Sequence, residues 1–347
     1  MRIDLLRPLL MQHGVEMFYL SSPENLHYFS GFRGDNGHLL VTQDQAFLFT
    51  DGRFTEQAEH ETTGVTVQLL QGKLERALAP HFQGKRIGFE SDFLTVAAHT
   101  RLKEACPDAV WIPCPALAQG LRAVKDADEI SAIQTACEMA DRAFAKLLPH
   151  ICPGRTEREL KTELEYELAR LGSEKPAFDT IVACGVRSSL PHATPTDQAV
   201  SAHDLITFDF GAVFHGYHSD ITRTVCIGTP ALKGLWETVL GVQEELIRAL
   251  CPGMTCGELD SYQRNLFARE GLDHAIVHSL GHGVGLEIHE DPRVSQGIDT
   301  VLVPNMVITI EPGLYLPGKG GVRTEDTVLM TENGCTRLTQ TPHYLMR

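Results

Sequence analysis

LITFDFG at residues 205–211 and SDITRT at residues 219–224 decide how the second half of this chain folds. Each segment places an aspartate, Asp209 or Asp220, inside or beside an apolar run that is typical of a buried strand. Glycines between the two runs favour a short turn, and antiparallel strands joined by such a turn would bring both aspartates to one site. Because a buried carboxylate stays ionised only when positive charge compensates it, the pair indicates a cation site on two strands.

Three segments nearer the C-terminus extend this pattern of charges beside apolar strands. GHGVG places His282 between glycines that let the backbone approach closely, MVITIEPG ends a strand-like run on Glu311, and RTED contains Glu325. Four carboxylates and one imidazole suit two divalent cations such as Mn²⁺, Co²⁺ or Zn²⁺. Two ions roughly 3.5–4 Å apart can share bridging carboxylates and activate one water.

Each of these residues also has an ordinary structural explanation. An aspartate at a strand end usually forms a turn, a lone histidine usually belongs to the core or the surface, and a glutamate before Pro-Gly can be a turn charge. The joint order and spacing of the five favour a shared site. A mononuclear iron oxygenase needs two histidines and one carboxylate with open positions, which this carboxylate-rich set does not match.

Composition indicates a globular protein of two domains, because 347 residues exceed what one core usually holds. The formal net charge of −15 argues against a nucleic acid or an anionic membrane surface as the main partner. No apolar run reaches about 18 residues, and we expect no targeting segment at the N-terminus. The nine cysteines lack a C-x-x-C pair, which predicts free thiols and a cytoplasmic location.

Periodicity divides the chain into two α/β regions. Residues 1–114 alternate helix-like and strand-like segments, with strands expected at 17–20 and in a hairpin from 37 to 50, and predict a small domain with a mixed sheet. A long helical pattern follows, and TEREL at residues 156–160 is typical of a capped helix start. We therefore predict domains at residues 1–114 and 115–347.

The joint pattern resembles the "pita-bread" metallopeptidases, the superfamily of methionyl aminopeptidase, prolidase and aminopeptidase P. The motifs that carry the resemblance are DFG at 209–211, SDITRT at 219–224, HSLGHGVGL at 278–286, IEPGLY at 310–315 and GVRTED at 321–326. Residues 1–114 resemble the creatinase-type N-terminal domain, so the resemblance covers nearly the whole chain. It implies an α/β (α+β) protein in which a small mixed-sheet, creatinase-like domain precedes a pita-bread catalytic domain.

The resemblance also implies a role for each predicted ligand. Asp209 would bind one ion and His282 with Glu311 the other. The carboxylates of Asp220 and Glu325 would bridge the two ions. Glu311 would also carry the proton from the attacking water to the leaving nitrogen. We expect two manganese ions per chain, with cobalt or zinc as alternatives.

Four further residues occupy positions that the resembled family keeps for its substrate. His192 and His289 would donate hydrogen bonds to the substrate and to the tetrahedral intermediate. His278 would line the pocket. Arg323, beside Glu325, would orient carboxylates at the substrate site.

The resemblance implies cleavage of Xaa-Pro bonds and leaves two peptidase activities open. SGFRGDNG at 30–37 and FTDGRF at 49–54 resemble short bacterial aminopeptidase P enzymes, apart from Asp35, where a small residue is usual. We therefore predict an Xaa-Pro aminopeptidase, which releases the first residue of peptides with proline at the second position. The alternative is prolidase, which cleaves only Xaa-Pro dipeptides, and the metal motifs do not discriminate between the two.

Other classes fit the chain less well. Methionyl aminopeptidases usually lack the N-terminal domain, and creatinase lacks the metal ligands. A catalytically retired peptide-binding protein would typically have lost ligands, whereas all five positions are filled here. A homodimer is expected, because the N-terminal domain in this group often reaches toward the partner's active site.

Overall fold

The computed structural model describes residues 1–343 and the backbone of residues 345–346. Contacts divide the chain into two compact units, Met1–Arg122 and Ala123–Arg347. The sequence predicts the boundary after residue 114, directly behind Val110–Pro113, the last strand of the first unit. Within the described residues, no helix combines the length and the apolar character needed to cross a lipid bilayer.

The first unit contains a six-stranded mixed sheet, which confirms the predicted architecture. Its strands are β1 (Met17–Leu20), β2 (Gly37–Thr42), β3 (Ala46–Thr50), β4 (Thr66–Leu69), β5 (Arg86–Phe89) and β6 (Val110–Pro113). The order is β4-β3-β2-β1-β5-β6, with β1 antiparallel to β2 and parallel to β5. The helices are α1 (Arg7–Gln12), α2 (Pro23–Ser30), α3 (Thr55–Glu61), α4 (Leu74–Phe82), α5 (Val96–Ala105) and α6 (Gln119–Ala123).

The second unit contains two larger, mainly antiparallel sheets and four long helices. The helices are α7 (Ala127–Leu147), α8 (Glu157–Arg170), α9 (Lys233–Ala249) and α10 (Cys256–Arg269). The strands are β7 (Ile181–Cys184), β8 (Leu205–Phe210), β9 (Val213–Phe214), β10 (Tyr217–His218), β11 (Ile221–Ile227), β12 (Gly281–Gly283), β13 (Glu290–Val294), β14 (Val307–Ile310), β15 (Gly313–Leu316), β16 (Gly320–Arg323), β17 (Asp326–Thr331), β18 (Gly334–Arg337) and β19 (Leu345–Met346). One sheet has the order β19-β11-β8-β7, antiparallel except for the parallel pair β11/β19, and the other has the order β13-β12-β14-β17-β18. The pairs β9/β10 and β15/β16 form two-stranded ribbons.

Alternation along β8 separates apolar from polar side chains in the four-stranded sheet. Ile206, Phe208 and Phe210 are buried and belong to one core cluster with Phe144 of α7. Asp209 lies between two of these phenylalanines and therefore points to the opposite face. Helices cover one face of the sheet, and the other face carries the aspartate.

The five-stranded sheet repeats this arrangement. Ile308 and Ile310 of β14 belong to a core cluster with Val239 of α9 and Leu259 of α10. Thr309 lies between the two isoleucines and points to the other face of the sheet. Each sheet thus buries one face against helices and keeps polar groups on the other, which positions the site described below.

The strands that carry the two aspartates pair as the sequence predicts. β8 and β11 are antiparallel, with Asp209 opposite Thr222. Their connection is longer than a tight turn, because it contains the β9/β10 ribbon. Gly211 allows the chain to close at the base of that ribbon, since a Cβ at this position would lie 1.9 Å from the carbonyl oxygen of Ser219.

Candidate metal centre

Two aspartates come from neighbouring strands of the four-stranded sheet. Asp209 lies on β8, and Asp220 directly precedes β11. Both residues are buried, with 9% and 5% of their surface exposed. Oδ1 of each accepts no hydrogen bond from the described residues. Buried carboxylate oxygens without partners are costly unless they face a cation.

His282 lies on β12 of the five-stranded sheet and faces the carboxylates. Its Nε2 lies 3.5 Å from Asp220 Oδ2 and 3.5 Å from Glu311 Oε1. Its Nδ1 lies 3.0 Å from the carbonyl oxygen of Gly283, which favours the tautomer that leaves Nε2 free to bind a metal. Burial lowers the pKa of His282 to about 4, so the imidazole is neutral near pH 7.

The two glutamates complete the cluster. Glu311 follows β14, and Glu325 lies between β16 and β17. One ligand atom from each of Asp220, His282 and Glu325 lies within 4.8 Å of the other two. A divalent ion holds oxygen and nitrogen ligands at about 2.0–2.6 Å, so one cation could reach all three atoms.

The cluster carries more negative charge than nearby side chains compensate. Burial raises the pKa of Asp220 well above its ordinary value, and the charges of Glu325 and Asp209 raise it further. Burial likewise raises the pKa of Glu325, and it raises that of Glu311 to about 8. Arg323 opposes each of these shifts. A bound divalent cation would favour the ionised carboxylates, so the donor set fits a metal centre.

Arg323 on β16 is buried and orders the cluster through its guanidinium group. Nη2 donates to Asp209 Oδ2 at 2.5 Å, and Nε donates to Thr222 Oγ1 at 3.1 Å. Nη1 donates to Tyr315 Oη at 2.7 Å and to the carbonyl oxygen of Pro191 at 3.1 Å. These contacts place Arg323 where the sequence predicts a group that orients carboxylates, and its contact with substrate stays a prediction.

His278 and His289 lie beside the predicted ligands. His278 Nδ1 is 4.0 Å from Glu311 Oε2, and His278 Nε2 is 2.9 Å from Tyr315 Oη. The ring of His289 is 4.3 Å from that of His282. The sequence did not single out Tyr315, which links His278 to the guanidinium group, although it lies in the quoted motif IEPGLY.

His192 is exposed on the loop between β7 and β8, and the loop reaches the same site. The preceding residue, Pro191, accepts the hydrogen bond from Arg323. Burial lowers the pKa values of His278 and His289, Arg323 lowers that of His278 further, and the proximity of His192 acts in the same direction on both. The structure therefore brings His192 within electrostatic range of both other histidines.

Threonine hydroxyls support the predicted ligands, although the sequence motifs did not point to these threonines. Thr222 donates to Glu325 Oε2 at 2.7 Å. Thr309 donates to Glu311 Oε1 at 3.3 Å and accepts from the backbone N–H of His282 at 3.1 Å. Residues two apart on a strand share a face. That spacing could have found the threonines, because each carboxylate has one at this distance: Thr207 and Asp209, Asp220 and Thr222, Thr309 and Glu311, Glu325 and Thr327.

Replacing Thr222 by valine should weaken metal binding while keeping the side-chain shape. The change removes the donor to Glu325 and the acceptor for Arg323 Nε. We expect the affinity for Mn²⁺, measured by titration calorimetry, to fall about tenfold or more. Thr238→Val on α9 is the control, because its hydroxyl bonds only within the helix, to Gly234. Equal Mn²⁺ affinities for the Thr222 variant and the control would contradict this role.

Two protein-family models match consecutive parts of the chain. The Creatinase/Prolidase N-terminal domain matches residues 2–124, and Metallopeptidase family M24 matches residues 131–332.

Relatives of similar length match almost the entire chain. The Xaa-Pro dipeptidase of Pyrococcus furiosus is 39% identical over 348 residues, which cover 99% of each protein. The structure of an Xaa-Pro dipeptidase from Bacillus anthracis superposes with a TM-score of 0.96 at 37% identity, covering 99% of this chain and 98% of that one. An X-Pro aminopeptidase from Thermotoga maritima superposes with a TM-score of 0.90 at 36% identity, covering 96% and 98%.

Proposed function

This chain belongs to metallopeptidase family M24, with a creatinase/prolidase N-terminal domain, and on that premise we propose that it hydrolyses Xaa-Pro dipeptides with two divalent cations. The observation that carries the hydrolytic part is the convergence of Asp220, His282 and Glu325 within 4.8 Å. The relatives at 37–39% identity over nearly the full length, named as Xaa-Pro dipeptidases, support the substrate class.

This proposal replaces the sequence-based preference for an aminopeptidase. That preference rested on residues 30–37 and 49–54, which form a local network in the first unit. Asn36 Nδ2 donates to Asp51 Oδ2 at 2.5 Å, and Arg53 Nη2 donates to the same oxygen at 2.8 Å. Because these residues bind one another within the first unit, their likeness to aminopeptidase P does not identify a substrate.

The proposed centre uses the five predicted ligands, and we propose Mn²⁺ as the ion. Divalent cations in such a site lower the pKa of a water and polarise the scissile carbonyl. The Glu311 carboxylate would accept the proton of that water and pass it to the proline nitrogen. Arg323 would hold Asp209 in place during these steps.

The histidines supply the remaining polar groups of the site. We propose that His192 and His289 donate hydrogen bonds to the substrate carbonyl as negative charge develops on it. His278, held by Tyr315 at 2.9 Å, would line the pocket. We also propose a cytoplasmic homodimer, whose mass light scattering would measure.

A comparison of two substrates tests the dipeptidase assignment. Purified protein with Mn²⁺ should cleave an Xaa-Pro dipeptide with kcat/KM at least roughly tenfold above that for Xaa-Pro-Yaa, because a pocket built for a dipeptide discriminates against an added group. A dipeptide without proline serves as the control. Faster release of the first residue from the tripeptide would restore the aminopeptidase assignment, and peptide binding without cleavage by either route would indicate a retired enzyme.

A further inference from the structure

The loop that carries His192 is held at the metal centre by two contacts. Arg323 Nη1 binds the carbonyl oxygen of Pro191 at 3.1 Å, and the N–H of Gly321 donates to Ser188 Oγ at 2.9 Å. Among the described residues, His192 itself makes no hydrogen bond, and its side chain is exposed. The orientation of its imidazole therefore depends on how firmly the backbone of the loop is held.

Glu157 holds both ends of this loop from the first turn of α8. The residue is completely buried. Oε1 accepts from the N–H of Cys184 at 2.9 Å, and Oε2 accepts from the N–H and the hydroxyl of Thr196 at 2.9 and 2.8 Å. One carboxylate thus joins a residue before His192 to a residue after it.

Arg187 links the Glu157 carboxylate to a further residue of the loop. Its Nε lies 3.0 Å from both oxygens of Glu157, and its Nη2 donates to the carbonyl oxygen of Thr194 at 2.7 Å. The guanidinium group and the positive end of the α8 dipole compensate the buried charge. Both carboxylate oxygens of Glu157 therefore accept hydrogen bonds from residues that flank His192 in the sequence.

We propose that Glu157 is a positioning residue for substrate turnover, acting through Arg187 and Thr196 on the loop that presents His192. The inference rests on the proposed function of His192 as a donor to the substrate. Glu157 lies outside the predicted ligand set, so its effect should fall on catalysis and leave metal binding unchanged.

Glu157→Gln tests the proposal. The amide group has one acceptor oxygen instead of two, and its NH₂ group would meet the N–H donors that the carboxylate now accepts from. We expect kcat/KM to fall about 10- to 100-fold while the Mn²⁺ affinity stays at the wild-type value. In a His192→Ala background the same substitution should have almost no further effect, since coupled residues are not additive. An equal loss in both backgrounds, or a loss of Mn²⁺ affinity, would overturn the proposal.

Glu90→Gln is the matched control in the first unit. Glu90 is also buried and accepts hydrogen bonds from Ser22 and Asn25. This variant should lose stability, and any change in its kcat/KM should be the same with and without His192. If Glu157→Gln does not fold, Arg187→Lys keeps the positive charge and loses the bond to Thr194, and it should show the same coupling to His192.

Hydrogen–deuterium exchange separates this inference from the proposed function. Exchange in residues 185–199 should rise in Glu157→Gln and stay unchanged in Glu90→Gln, whichever peptide the enzyme cleaves. Unchanged exchange in the Glu157 variant would refute the positioning role of Glu157, even if the wild type is a dipeptidase. A wild type that cleaves no Xaa-Pro peptide would refute the proposed function. The exchange experiment would then still test whether Glu157 holds residues 185–199 in place.

Discussion

Replacing Glu311 by glutamine is expected to lower kcat for Xaa-Pro hydrolysis by roughly 10²–10⁴-fold. Glutamine keeps the size of the side chain but can neither accept the proton of a water nor present a charged oxygen to a cation. The fold should tolerate the change, because burial raises the pKa of Glu311 to about 8 and so already disfavours its charge. The melting temperature of the metal-free variant should therefore equal or exceed that of the wild type.

Steady-state kinetics with saturating Mn²⁺ and scanning calorimetry measure the two parts of this prediction. Glu129→Gln provides a control in the same unit, since Glu129 is a buried glutamate that accepts from Tyr217 and from the N–H of Asp126. The control should lose stability and keep most of its kcat. Wild-type kcat in Glu311→Gln would exclude Glu311 as the proton carrier.

Removing divalent cations with a chelator is expected to abolish activity and to lower the melting temperature of the second unit. Burial, and after it repulsion from neighbouring carboxylates, raises the pKa values of Asp220 and Glu325, so their ionised forms destabilise the metal-free site. A ligand present at 100 times its Kd stabilises a protein by about 2.7 kcal/mol, or about 5–10 °C for a unit of this size. Added Mn²⁺ should restore both activity and melting temperature.

Asp220→Asn distinguishes metal binding at this cluster from binding elsewhere. The variant replaces the carboxylate that lies 3.5 Å from His282 Nε2 by a neutral amide, so Mn²⁺ should stabilise it less than it stabilises the wild type. Calorimetry with and without Mn²⁺ measures the difference. Equal stabilisation of both proteins would place the bound metal outside the cluster, and activity that survives exhaustive chelation would contradict a metal mechanism.

Local features of the fold could be predicted from the sequence because they depend on neighbouring residues. The alternation of residues 205–210 predicts a strand with Asp209 on its polar face, and β8 has this form. TEREL predicts a capped helix start, and Thr156 accepts from the N–H of Glu159 at the start of α8. The mixed sheet of the first unit follows from the same kind of local pattern.

For the substrate preference, the relatives favour the prolidase alternative over the aminopeptidase that the sequence motifs predict. The residues around Asp51 look distinctive in the sequence, yet in the structure they bind one another. Relatives of similar overall identity are named as dipeptidases and as an aminopeptidase. A choice between these activities depends on the shape of the substrate pocket, to which residues scattered along the chain contribute.

Periodicity and side-chain chemistry are properties of short segments, so strands, helices and the donor atoms they carry can be predicted from the sequence. Which of those atoms come into contact depends on the folding of distant segments onto one another. Arg323 contacts Asp209 across 114 positions of sequence, and Glu157 contacts Thr196 across 39. Such pairs depend on strand register and on side-chain packing throughout the unit, and a local pattern contains neither.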